Sequence, residues 1–187
     1  NIDKYNTVPL STNEYINASF VQITNDKKFI ATQGPLDSTI EDFWQMVFDF
    51  KVEMIVMLCS LTEGGRQKCA YYWNENLNTK FKIKVIEEKE YNKYLIIRKF
   101  NVTNSNDESI TVNHLHFTGW PDHGAPIVED VYDTFTTMIS KVNEQMKNPV
   151  IVNCSAGVGR TGTFISMYSL YYEIMNQFDR KKYTIEF

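Results

Sequence analysis

Val150-Ile151-Val152-Asn153-Cys154-Ser155-Ala156-Gly157-Val158-Gly159-Arg160-Thr161-Gly162 decides the reading of this chain. A short apolar run ends at a cysteine, a loop of small residues follows, and an arginine opens an apolar helix. The seven residues from Cys154 to Arg160 are enough to wrap once around a tetrahedral oxyanion with N–H groups pointing inward. Gly157 and Gly159 would permit backbone angles and a close approach that a Cβ blocks. Cys154 would then lie near the positive end of a helix dipole beside Arg160, surroundings that favour ionised sulfur. Arginine suits this place because its planar fork can grip two oxygens at once. Phosphate is the obvious occupant.

Outward from this turn, the chain reads as a mixed α/β domain with a central, highly twisted sheet flanked by helices. Ser38 to Phe50 carries Ile40, Phe43, Trp44 and Val47 at helical spacing behind a capping box of Ser38 and Glu41. Met54 to Leu58 is a continuous apolar run, the pattern of a strand buried on both faces. Phe81, Ile83 and Val85 alternate with Lys80, Lys82 and Lys84. Tyr94 to Phe100 and Ile110 to Phe117 continue a meander, turning at Asn104 to Asp107. Val128, Val131, Tyr132, Phe135, Met138, Ile139 and Val142 form one stripe of a long helix. A last helix from about Arg160 to Met175 is apolar almost all round and should be buried. The glycine loop thus sits at the carboxyl end of a strand, where ligands gather in such folds.

Composition limits the alternatives. The 187 residues suffice for one domain, and 43% hydrophobic with 14% aromatic content is ordinary for a globular protein. A net charge of −4 and the lack of a basic stripe argue against nucleic acid as a partner. No apolar run approaches a membrane span, and no signal peptide precedes Asn1. Cys59, Cys69 and Cys154 are an odd number, which points to reduced thiols and a cytoplasmic setting. Reduced thiols also make the sequons at Asn17, Asn101 and Asn153 poor glycosylation sites. The start without methionine reads as a fragment.

A thiolate that attacks phosphorus needs an acid for the leaving oxygen. Trp120-Pro121-Asp122-His123-Gly124 supplies a carboxyl on a segment with a stiffening proline, a flexible glycine and an aromatic anchor. Asp122, taken from water near a bound dianion, would keep its proton long enough to donate it. Other motifs are weaker. Gly157-Val158-Gly159-Arg160-Thr161-Gly162 fits the dinucleotide fingerprint, but no strand follows it, and the Walker pattern fails at Cys154 and Arg160. His114, His116 and His123 lack a fourth zinc ligand and read as ordinary strand and loop residues. Cys59 and Cys69 read as small core residues.

The segments Cys154 to Gly162 and Trp120 to Asp122 resemble the signature and WPD loops of protein tyrosine phosphatases. Glu14-Tyr15-Ile16-Asn17-Ala18-Ser19, Thr32-Gln33-Gly34-Pro35 and Lys68-Cys69-Ala70-Tyr71-Tyr72-Trp73 match that family in the same order. The resemblance runs from about Tyr15 to Leu170. It implies Cys154 as the nucleophile that forms a phosphocysteine, Arg160 as the clamp, and Asp122 as general acid and then base. Ser155, Ala156, Gly157, Val158 and Gly159 would line the phosphate site with Arg160 and Asp122. Thr161 would offer its hydroxyl to the thiolate, Glu63 would orient Arg160, and Lys68 would lie beside the Trp120 loop. No metal or organic cofactor is implied, and the partners would be phosphotyrosine-containing proteins or peptides.

The chain departs from the family at three places. Asn153 replaces the family's histidine, which predicts reduced turnover; the alternative function is a pseudophosphatase that holds phosphotyrosine without efficient hydrolysis. The recognition loop before Tyr15 is compressed: Lys4-Tyr5 could match its aromatic wall, but Tyr5 to Leu10 also fits the segment just after that wall. The chain stops at Phe187, before the family's glutamine loop, so residues 1–187 are expected to form a phosphatase domain without its C-terminal part.

Overall fold

The computed structural model describes residues 6–121 and 124–182, with side chains up to residue 177. Nine strands and three α-helices follow one another along the chain among the described residues. They are β1 (Ala18–Gln22), β2 (Lys28–Gln33), α1 (Ile40–Asp49), β3 (Met54–Met57), β4 (Thr62–Glu63) and β5 (Arg66–Gln67). Then follow β6 (Lys82–Asn92), β7 (Leu95–Thr103), β8 (Ser109–Phe117), α2 (Val128–Gln145), β9 (Val150–Cys154) and α3 (Gly159–Lys182).

Seven strands form a mixed sheet in the order β1-β2-β9-β3-β8-β7-β6. The neighbours from β2 through β9 and β3 to β8 run parallel. The β1 edge and the β8-β7-β6 meander are antiparallel. Every residue of β3 and β9 is buried, as apolar runs at the centre of a sheet demand. Alternation along these strands feeds two cores. Ile55, Met57 and Ile151 join Phe43, Trp44 and Val47 of α1 on one face. Met54, Val56, Val150 and Val152 meet Phe135, Met138, Phe164 and Tyr168 of α2 and α3 on the other. Trp44 is fully buried and donates its indole N–H to the Tyr72 carbonyl at 2.8 Å. Burying such a side chain contributes about 2–3 kcal/mol, and its N–H is not left unpaired.

Three details depart from the sequence reading. The Ser38–Glu41 capping box does not form: Asp37–Thr39 is a 3₁₀ turn, and the Thr39 hydroxyl accepts the Leu36 N–H at 2.9 Å. A chain entering the helix through a tighter turn presents Thr39, not Ser38, to the free amide. Val128 and Tyr132 are exposed, since α2 turns only Val131, Thr134, Phe135, Met138, Ile139 and Val142 inward. Likewise α3 buries Phe164, Ile165 and Tyr168 against the sheet but leaves Leu170, Ile174 and Met175 exposed. A helix that packs on one sheet face covers one stripe, whatever the composition of the other. No helix among the described residues is long and apolar enough to cross a membrane.

Candidate active site

β9 delivers Cys154 at its last position, and the backbone turns at once. Gly157 has φ of 74° and lies against the end of β2. A Cβ there would come within 2.4 Å of the Gln33 nitrogen and the Thr32 carbonyl carbon. Glycine is therefore obligatory on two grounds, handedness and space. Its N–H donates to Cys154 Sγ at 3.3 Å. Gly159 is different: its φ is not left-handed and a Cβ would meet nothing within 4 Å. The expectation of two conformationally required glycines holds for Gly157 alone, because α3 has already begun at Gly159.

Neighbouring strands hold this turn. Gly34 N–H donates to the Ser155 carbonyl at 3.0 Å, and Leu58 N–H donates to the Asn153 carbonyl at 2.8 Å. Asn17 and Gln33 link β1's approach to β2's end by an amide hydrogen bond of 2.8 Å. Ser155 and Gly157 are half-buried, whereas Ala156, Val158 and Gly159 face outward.

Arg160 projects from the first turn of α3 onto Glu63. Nη1 donates to Oε1 at 2.6 Å and Nη2 to Oε2 at 2.8 Å, a parallel two-point pair. The side chains are only 16% and 8% exposed, so screening is weak and loss of one partner would leave an unpaired charge. Burial alone would push the Glu63 carboxyl up, but its bonds to Arg160 and to the Ser60 N–H hold it below its ordinary value. Glu63 in turn raises Arg160 against the opposing effect of burial. The local reason Glu63 stands here is a β4–β5 hairpin closed by Gly64 and Gly65, both with positive φ (54° and 73°). That two-residue turn suits the twist of paired strands.

The remaining Nη hydrogens also have acceptors. Nη1 donates to the Leu58 carbonyl at 3.2 Å and Nη2 to the Pro121 carbonyl at 3.3 Å. The fork expected to face a phosphoryl group is thus occupied by Glu63. Trp120 anchors the Pro121 segment, its ring against Phe117 and Phe135 and its N–H donating to the Gly124 carbonyl at 3.2 Å. The Arg160 guanidinium lies 6.0 Å from the Trp120 ring centre. Asp122 and His123 lie outside the described residues, as do Lys4 and Tyr5. Val8 and Leu10 are buried, and Thr7 bridges to Ser19, so the segment before Tyr15 runs beside β1.

Two buried side chains near Cys154 are not as expected. Thr161 does not reach the thiol: its hydroxyl is buried without a hydrogen-bond partner among the described residues, and the Gly157 N–H is the group that meets Sγ. Asn153 is fully buried, and neither atom of its amide is paired among the described residues. Lys68 is half-buried, and its charge also favours the Glu63 carboxylate. Cys59 and Cys69 lie in the core, where hydrogen bonding to Cys59 and burial push the Cys69 thiol up. His114 and His116 are buried strand residues, bonded to Tyr72 and to Arg98 with the Cys59 carbonyl, respectively. Sequence reading missed the Leu58 and Pro121 carbonyls, since a backbone acceptor leaves no mark in residue type. It also missed the Gly64-Gly65 turn, whose dipeptide signals a hairpin.

Fold and site together define an α/β domain whose strand–loop–helix turn sets a buried thiol beside a carboxylate-held arginine. The sequence profile described as Protein-tyrosine phosphatase matches residues 3–185. The chain belongs to that family. It is 42% identical over 167 residues to rat tyrosine-protein phosphatase non-receptor type 20, covering 84% of this chain and 39% of that protein. It is also 42% identical over 174 residues to mouse receptor-type tyrosine-protein phosphatase eta, covering 89% of this chain and 14% of that protein. The solved catalytic domain of human protein tyrosine phosphatase non-receptor type 18 superposes with a TM-score of 0.84 at 34% identity, over 93% of this chain and 66% of that one. A structure of the type 18 enzyme with HER2 phosphopeptides gives a TM-score of 0.84 at 32% identity, over 94% of this chain and 64% of that one. The chain therefore spans about two thirds of these solved domains and well under half of the curated relatives.

Proposed function

We propose that this protein hydrolyses phosphotyrosine in proteins or peptides through a phosphocysteine on Cys154. The observation that carries the reading is the two-point Glu63–Arg160 pair set beside the thiol, with the Pro121 carbonyl on the same guanidinium. Cys154 Sγ attacks phosphorus as the tyrosine oxygen leaves with a proton from Asp122; water then attacks phosphorus, giving its proton to the Asp122 carboxylate, and the P–S bond breaks to return the Sγ thiolate and release phosphate. Amides of Ser155 to Arg160 take the equatorial oxygens, and the start of α3 adds its dipole. Glu63 keeps Arg160 in place, Trp120 anchors the segment that carries Asp122, and Lys68 stands beside it. Asn153 and Thr161, fully buried next to Cys154 and Arg160 in the chain, complete the packed floor of the pocket. The three thiols are free, which supports a reducing, cytoplasmic setting.

The test is hydrolysis of p-nitrophenyl phosphate in single-turnover and steady-state modes, with Cys154→Ser as control. Sustained turnover abolished in the serine variant is expected. A tight phosphotyrosine complex without any burst of phenolate overturns the reading.

A further inference from the structure

His116 lies outside the pocket, yet it is tied to the loop that holds Arg160. On β8 its ring is buried, with Nδ1 3.1 Å from Arg98 Nη1 and Nε2 2.8 Å from the Cys59 carbonyl oxygen. Arginine has only donors and a carbonyl only accepts, so these contacts fix the neutral ring with its proton on Nε2. Burial pushes the imidazole down, to about 4; the Cys59 carbonyl opposes this and the Arg98 charge adds to it. Arg98 is itself fixed, 4.9 Å above the Trp73 ring and bonded through Nε to Glu88.

The Cys59 carbonyl and the Ser60 N–H belong to one peptide unit, which is planar and points them in opposite directions. His116 holds the oxygen end. The N–H end donates to Glu63 Oε1 at 3.0 Å, and Glu63 holds Arg160. On the other side of Cys59, the Leu58 carbonyl accepts from Arg160 Nη1. A rotation of the Cys59–Ser60 peptide would therefore disturb the Glu63 carboxylate and, through it, the guanidinium. We propose that His116, fixed as the Nε2–H tautomer by Arg98, is a positioning residue for Arg160. It acts by pinning this peptide so that the Ser60 amide aims at Glu63.

The inference rests on the phosphatase reading only for its kinetic consequence, so tungstate affinity is measured alongside turnover. His116→Gln keeps a donor for Cys59 and an acceptor for Arg98, whereas His116→Asn keeps the acceptor but is too short to reach Cys59. His116→Asn should weaken tungstate roughly tenfold and lower kcat by ~10–100-fold with a smaller change in KM, as a displaced clamp predicts. His116→Gln should restore both to within ~threefold. In a Glu63→Gln background the Asn variant should add little, because both act through one guanidinium. Full additivity, or equal losses in the Gln and Asn variants, overturns the proposal. The unsubstituted protein gives an independent check: ¹⁵N NMR should find the His116 proton on Nε2, and a proton on Nδ1 refutes the mechanism. If wild type fails to turn over but the tungstate pattern holds, the phosphatase reading fails and the positioning role stands.

Discussion

Gly157→Ala isolates the contribution of the loop's shape from its chemistry, since it removes no functional atom. At φ of 74° an alanine pays the left-handed penalty, about 1–2 kcal/mol. Its Cβ would also lie 2.4 Å from β2 backbone atoms, where ordinary contact begins near 3.4 Å. Loop and strand must separate by about 1 Å, an overpacking cost of about 1–3 kcal/mol. The sum is about 2–5 kcal/mol of stability. The same displacement moves the Gly157 N–H away from Cys154 Sγ, and a 1 Å error near reacting atoms costs about 10²-fold in rate. Gly159→Ala is the control: it meets nothing within 4 Å and needs no left-handed backbone, so stability should change by less than about 0.5 kcal/mol. Thermal melting with p-nitrophenyl phosphate kinetics on both variants decides the matter. Equal stability and turnover in Gly157→Ala and wild type would refute the idea that β2 shapes the loop.

Glu63→Gln should lower kcat by ~10–100-fold while Cys154 still reacts with iodoacetate, because the thiol's own contacts are untouched; unchanged kcat counts against the Glu63–Arg160 assignment. Because the folded Glu63 carboxyl lies below its ordinary value near 4.5, its stabilising contribution is complete above that pH and is lost as pH falls through the folded value. Acid unfolding of Glu63→Gln should accordingly show a shallower limb below pH ~4.5 than wild type. Asn153→His should speed both iodoacetate alkylation at pH 6 and turnover, since the present amide makes no hydrogen bond among the described residues; identical rates would remove Asn153 as the cause of any slow turnover. Burial holds His116 neutral down to about 4, so between pH ~6.5 and 4 the unfolded chain binds a proton there that the folded chain does not, and burial lowers His114 in the same direction. Stability should fall across that window as pH drops, by about 3 kcal/mol from His116 alone, and melting temperatures of His116→Gln should lose part of this slope.

Much of this architecture was legible because apolar periodicity has few solutions. The short apolar runs Met54–Leu58 and Val150–Val152 read as buried strands, and β3 and β9 became the doubly covered middle of the sheet. Cys154 and Arg160 were legible as a pair because one backbone turn separates them. What escaped is governed by contacts between distant segments. Burial of Val128, Tyr132, Leu170 and Ile174 depended on which helix stripe met the sheet, and residue type alone cannot report that. The role of Glu63 came only through the family likeness; its physical basis, a Gly64-Gly65 hairpin that aims the carboxylate at Arg160, is a matter of tertiary geometry. His114 and His116 showed as an alternating pair, but their partners Tyr72, Arg98 and the Cys59 carbonyl come from three other segments.

The hydrogen count on Arg160 says how this site must respond to an oxyanion. A guanidinium has five N–H groups. Four of them are committed among the described residues: two to Glu63, one to the Leu58 carbonyl and one to the Pro121 carbonyl. Among the described residues only Nε–H is left without an acceptor, so a two-point grip requires one acceptor to yield or share. Glu63 is a charge-assisted pair set on a hairpin, and the Leu58 carbonyl is fixed by the strand that also donates to Asn153. The Pro121 contact is the longest of the four at 3.3 Å and carries no charge. It is therefore the weakest acceptor, and it belongs to the segment that bears Asp122. A two-point grip on an oxyanion and release of the Pro121 carbonyl are by this count one event, with Arg160 as the shared part.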